Sequence, residues 1–288
     1  TGTLSPPGVF QGYDADTLNG RFVPNGIATL EMLSHYRHIV WMTDFKSATN
    51  NNPPDYASGS QTSSLHAMSY RGASNPLATW VKQGGRLWLL GGGAATSLQR
   101  EWEKTGTSGT VFSNTDGELV PGRFMYDITH WCSEITVGSS AQARKYAGLT
   151  GGWPGAPDYS VLPDLLFEKS PAVDPINTYA PWRTSPSDYY QTTYNAECLS
   201  KPNAILEPSL TGGDAVSALD TLYMTVGGVV GSDRPVMTIY HGGASPPVVY
   251  TGFPLWYFRR DLELNLVDFV LQNCWGLPRR PVVRRPQR

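Results

Sequence analysis

Two residues with chemically able side chains, Asp127 and His130, stand three apart and are followed at once by Trp131. On one helix face they could act as an acid/base pair or contribute two metal ligands. The same spacing also serves an ordinary structural hydrogen bond, and no third ligand is identifiable from sequence. His241, in Tyr240-His241-Gly242-Gly243, is the best lone general-base candidate, with a turn histidine as its plainer reading. Asp44, with Lys46 beside it, follows an apolar run, where it could line a ligand cleft or cap a loop. Ser97 and Ser245 could be nucleophiles only if a His and a carboxylate converge on them. His35 and His38 flank the start of a strand and read as surface or capping residues.

A strand, a glycine-tight corner and a helix are the elements that present a nucleophile above a sheet. Arg86-Leu87-Trp88-Leu89-Leu90 is the strand, Gly91 to Ala95 the corner, and Thr96 to Trp102 the following helix. The reactive Ser or Cys belongs near Gly92, Gly93 and Ala94, yet these side chains are hydrogens and methyls. The three glycines could cradle an anion on backbone N–H groups. They lack the GxGxxG spacing and the lysine of a phosphate loop, so tight packing of the turn is the competing reading.

The cysteines, Cys132, Cys198 and Cys274, lie too far apart in sequence for a CxxC motif, and no metal and no cofactor is expected. One disulfide with a free thiol and three buried thiols both remain open. Within sixteen positions stand Tyr179, Trp182, Tyr189, Tyr190 and Tyr194, set among Pro, Ser and Asn. Such side chains contribute large contact area at small entropy cost. They suit a protein interface or sugar stacking, or else the local packing of a loop.

The 288 residues fit one large α/β domain or one and a half ordinary ones, and the hydrophobic fraction of 40% is ample for a core. A formal charge of −2 gives the main body no electrostatic case for nucleic acid. Charged residues make up 16%, against roughly 25% in average soluble domains, a bias that suits a secreted or surface protein. No apolar run approaches 18 residues, so no membrane span is expected. The chain begins at Thr1 without Met and opens on a linker-like segment, so a processed product or a fragment is expected.

Helical spacing marks Ile27 to His35, Asn75 to Gln83 and Asp261 to Asn273, the last with Leu262, Leu266, Phe269 and Val270 on one face. His38 to Asp44 reads as a strand buried on both faces, as in a parallel sheet. With the helix at 75–83 and the strand at 86–90 it makes a βαβ unit. Strands are also expected at Thr221 to Val226, Pro235 to Tyr240 and Pro247 to Tyr250, the last two as a hairpin or close pair. Between them, 106–217 is dense in Pro, Gly, Tyr and Trp and reads as a large irregular insertion, in which Arg123 to Asp127 and Ser160 to Phe167 are the best-ordered candidates. Residues 1–11 read as linker, and 277–288 as a basic Pro/Arg tail.

Four stretches resemble the class I glutamine amidotransferase-like superfamily: Gly12 to Asn19, Tyr36 to Asp44, Leu77 to Gly93 and Val249 to Phe258. The likeness is to its divergent domains in large bacterial secreted proteins and to trehalose-utilisation-type domains. It covers about half the chain, at the two ends. It implies a mostly parallel, doubly wound, flavodoxin-like sheet built from 12–105 and 218–276. Family enzymes carry a Cys at the corner and a His-x-Glu after a late strand. Here Gly92-Gly93-Ala94 and Gly252-Phe253-Pro254-Leu255 stand in those places, so neither half of the thiol–base pair carries over. The family's first strand has no counterpart before Gly12, so the sheet lacks a strand or borrows one. The expected function is therefore a non-catalytic structural or interaction module of an extracellular bacterial protein or assembly, with a protein partner or self-assembly. The alternatives are a hydrolase or lyase using Asp44, Asp127, His130 or His241, and a carbohydrate-binding surface module.

Overall fold

The computed structural model describes residues 28–42, 75–91, 124–129, 135–139, 145–148, 157–166, 190–194, 206–207, 216–217, 219–225, 235–240, 247–253, 255 and 258–280. Their frame is a seven-stranded sheet. In chain order the eleven strands are β1 (His38–Met42), β2 (Arg86–Leu90), β3 (Ile135–Ser139), β4 (Lys145–Gly148), β5 (Leu165–Leu166), β6 (Tyr190–Tyr194), β7 (Leu206–Glu207), β8 (Val216–Ser217), β9 (Leu219–Thr225), β10 (Pro235–Tyr240) and β11 (Val248–Thr251). The large sheet has the order β1-β2-β11-β10-β9-β4-β5, while β3 pairs with β6 and β7 with β8.

β1, β2 and β11 are mutually parallel, with His38 opposite Arg86 and Trp88 opposite Val249. From β11 outward every pairing is antiparallel: β11 with β10, β10 with β9, β9 with β4, and β4 with β5. The protein is thus α/β, but its sheet is mixed, which corrects the expectation of a mostly parallel one. The physical reason is connection length. Tyr240 and Val248 are joined by a short loop, and a short loop permits only antiparallel return, whereas a parallel pair needs a crossover. The strands β4 and β5 come from inside 106–217 and form one end of this sheet, so that stretch supplies two of its strands.

The βαβ unit forms for local reasons. The side chain of Asn75 accepts a hydrogen bond from the N–H of Ala78 (2.9 Å) and caps α2 (Pro76–Lys82). Pro76 occupies the first turn, where its missing N–H costs nothing. Leu77, Trp80 and Val81 form the buried stripe of α2. Helix α1 (Leu30–Ser34), capped by Thr29, packs against α2 and buries Leu33. Trp80 donates its indole N–H to the carbonyl of Tyr36 (3.0 Å), fixing α2 to the entry of β1.

Four successive β2 residues, Leu87 to Leu90, are buried, so both faces of this central strand are covered. β1 is different: Ile39, Val40 and Trp41 are half-buried and Met42 is 63% exposed. Burial of this strand on both faces was expected from its apolar run. It is not reached, because β1 is the outermost strand among the described residues and has a neighbour on one side. The core cluster gathers Trp88 and Leu90, Val249, Met237 and Ile239, and Leu222 and Tyr223 against the last helix. That helix is α4 (Arg260–Asp268), continued by a π-wound turn (Phe269–Cys274). Leu266, Val267, Phe269, Val270 and Leu271 are among its buried apolar residues. Each such large side chain removed from water stabilises the fold by about 1.5–3 kcal/mol. A short helix, α3 (Phe124–Asp127), leads into buried Ile128 and Thr129.

Candidate functional site

Ligands of open α/β sheets bind outside the carboxyl ends of the parallel strands. In this protein those ends are Met42 of β1, Leu90 and Gly91 of β2, and Thr251 and Gly252 of β11. Gly91 has φ +124, a conformation side chains rarely adopt, and it turns the chain out of β2. Its N–H donates to the carbonyl of Thr251 (2.9 Å), extending the ladder one residue past the end of β2. Gly252 N–H donates to the carbonyl of Val236 (2.8 Å), which ties the same corner to β10. The Trp88 indole N–H donates to the Thr251 hydroxyl (2.8 Å) in a fully buried contact. Phe253, buried and in ring contact with Phe258 (5.2 Å), closes the corner from the β11 side.

The hydroxyl of Thr251 is buried, and the remaining described residues at this edge are Met42, Leu90, Gly91, Gly252 and Phe253. They offer glycine backbone and apolar side chains. Gly92, Gly93 and Ala94 follow directly but lie outside the described residues, as do Asp44, His130, His241, Tyr179, Trp182 and Tyr189. Asp127 ends α3 and is half-buried, beside Phe124 and Ile128. Tyr190 opens β6, opposite Ser139 of β3, and β6 approaches β10. Among the described residues the structure therefore brings none of these candidates together. No three His, Cys, Asp or Glu side chains group as a metal site among them either. Cys274 forms no disulfide. No described helix is long and apolar enough to cross a membrane.

A second constellation sits at the opposite, amino end of the parallel strands. The imidazole of His38 lies against the indole of Trp275, with ring centroids 5.2 Å apart and planes tilted by 38°. The Nε2 of His38 and the Nε1 of Trp275 are both shut off from solvent, and neither has a hydrogen-bond partner. Arg86, opposite His38 in the β1–β2 register, donates from one guanidinium nitrogen to the carbonyls of Trp275 (3.0 Å) and Cys274 (3.4 Å). These are carbonyls at the end of the last helix, which a cation satisfies well. Burial, then the charges of Arg86 and Arg37, hold the His38 pKa below its ordinary value of 6.5. Burial pushes the Cys274 thiol up to about 12, against the pull of Arg86. His38 was expected at the surface or as a cap. It is half-buried, because Trp275 from late in the sequence lies against its ring, and no local sequence signal announces that contact.

No family model, curated protein or solved structure matches this chain.

Proposed function

We propose that this protein is a non-catalytic structural or interaction module of an extracellular bacterial protein or assembly. The observation that carries the reading is the described edge at the carboxyl ends of the parallel strands. Where an α/β enzyme presents reacting groups, this edge offers Met42, Gly91, Gly252 and Phe253, and its one hydroxyl is buried under Trp88. An exposed methionine beside a glycine corner fits contact better than catalysis, because its unbranched thioether adapts to a partner surface.

On this reading the three parallel strands are the retained part of an amidotransferase-like, flavodoxin-like doubly wound sheet. The βαβ unit, the positive-φ corner after β2 and a central strand covered on both faces support it. The low charged fraction of 16% supports an extracellular setting. The partner is a second copy of the chain or another protein of the assembly.

Sedimentation velocity over a range of concentrations tests the contact. Self-association that Met42→Lys weakens by tenfold or more is the expected result. A wild-type chain that stays monomeric at every concentration, and matches Met42→Lys, overturns self-assembly through this edge.

A further inference from the structure

We propose that the His38–Trp275 contact is an acid-sensitive latch: protonation of His38 releases Trp275 and the last helical turn from the amino end of the sheet. The geometry makes the imidazolium hard to accommodate in the closed form. His38 Nε2 is buried and unpartnered, so an added proton there creates a buried donor with no acceptor. The charged groups acting on it are Arg86, from β2, and Arg37, from the entry to β1, and both are positive. The titratable group on the helix beside it is the Cys274 thiol, which burial keeps protonated and therefore without countercharge. No carboxylate among the described residues acts on this imidazole to offset the two arginines.

The opposite partner of the latch is equally specific. Arg86 holds the Trp275 and Cys274 carbonyls, and just beyond them Gly276 (φ +72) reverses the chain. Its N–H donates to the Gln272 carbonyl (2.9 Å), and Leu277 N–H donates to that of Leu271 (2.8 Å). Trp275 thus stands on a wound terminus that is held to the sheet by core packing shared with Phe269, Val270 and Leu271, by Arg86 and by its ring contact with His38. When that terminus lifts, water reaches Nε2 and the imidazolium is solvated. Acid shifts the population toward the lifted form, because that form binds the proton better.

The sign follows from the lowered pKa. The closed form carries its full stability above about pH 6.5 and loses it as pH falls from there toward the lowered value of the closed state. One proton is involved, so the opening constant rises at most tenfold per pH unit.

Hydrogen exchange of amides 269–277, corrected for the intrinsic pH dependence of exchange, reads the opening directly. In the intact chain, protection of these amides is expected to fall between pH 7 and pH 5 while that of β2 holds. His38→Phe, which keeps a ring against Trp275, and His38→Gln are both expected to flatten the dependence. Arg37→Gln, which removes one like charge and no helix contact, is expected to move the midpoint up toward 6.5. Protection in the wild type that does not change with pH overturns the latch, as does an unaltered dependence in both His38 variants.

Discussion

Gly91 is the residue on which the candidate edge turns, and its φ of +124 makes a specific demand. Gly91→Ala forces a side chain into a conformation that costs about 1–3 kcal/mol, and urea unfolding should show a loss of that size with little change in slope. Trp88→Phe removes the donor to the Thr251 hydroxyl while keeping most of the apolar contact. Leaving that buried hydroxyl without its donor is expected to cost about 1–3 kcal/mol in the same measurement. The glycine corner could be read from sequence, since an apolar run ending in three glycines has few other uses. His38 could not. Its type suggested a cap, and what defines it is the ring of Trp275 and the guanidinium of Arg86, both brought in by tertiary packing.

Elements were readable in proportion to how far their own residues specify them. Helix α2 carries an asparagine cap, a proline in its first turn and a glycine pair after its end, so its bounds follow from side-chain chemistry alone. Asn75→Ala should destabilise the protein by about 1 kcal/mol, and Asn75→Asp, which keeps an acceptor for Ala78 N–H, should recover most of it. Strands β10 and β11 were readable as a close pair because a short Gly- and Pro-containing loop joins two apolar runs. Strands β4 and β5 were not. Four residues and two residues, set among Pro and Gly, have no periodicity to detect. β4 exists as a strand because β9 presents an edge, with Tyr146 meeting Thr225 and Gly148 meeting Tyr223, and β5 in turn pairs with β4. Tyr223 then reaches across to donate to the Pro163 carbonyl (3.0 Å), which clamps 157–166 to the sheet.

At the scale of the whole molecule, the sheet of the described residues is a short parallel block welded to an antiparallel one. β11 is the seam, parallel to β2 on one side and antiparallel to β10 on the other. The α/β class was visible in the order of segments. The antiparallel return of β11 on β10 was visible in their short connection, but the directions of β9, β4 and β5 were not, because alternating burial looks the same in either direction. Two strands from within 106–217, β4 and β5, belong to this sheet. Replacing it with a short linker removes β4 and β5 and bares the edge of β9, whose Leu222 and Tyr223 belong to the core. That variant should show no cooperative thermal transition and should aggregate through the exposed strand. A well-folded, soluble remnant would instead make 106–217 a separable unit.

The central claim is that the carboxyl edge of β1, β2 and β11 makes contacts and does no chemistry. Intact-mass analysis after treatment with serine-directed fluorophosphonate and thiol-directed chloroacetamide tests it most directly. The expected result is no stoichiometric adduct at the Gly91 corner of the native chain, with Cys274 modified only after unfolding. One adduct per native chain, mapped to Ser97 or another residue beside the Gly91 corner and lost in His241→Ala, would contradict the account.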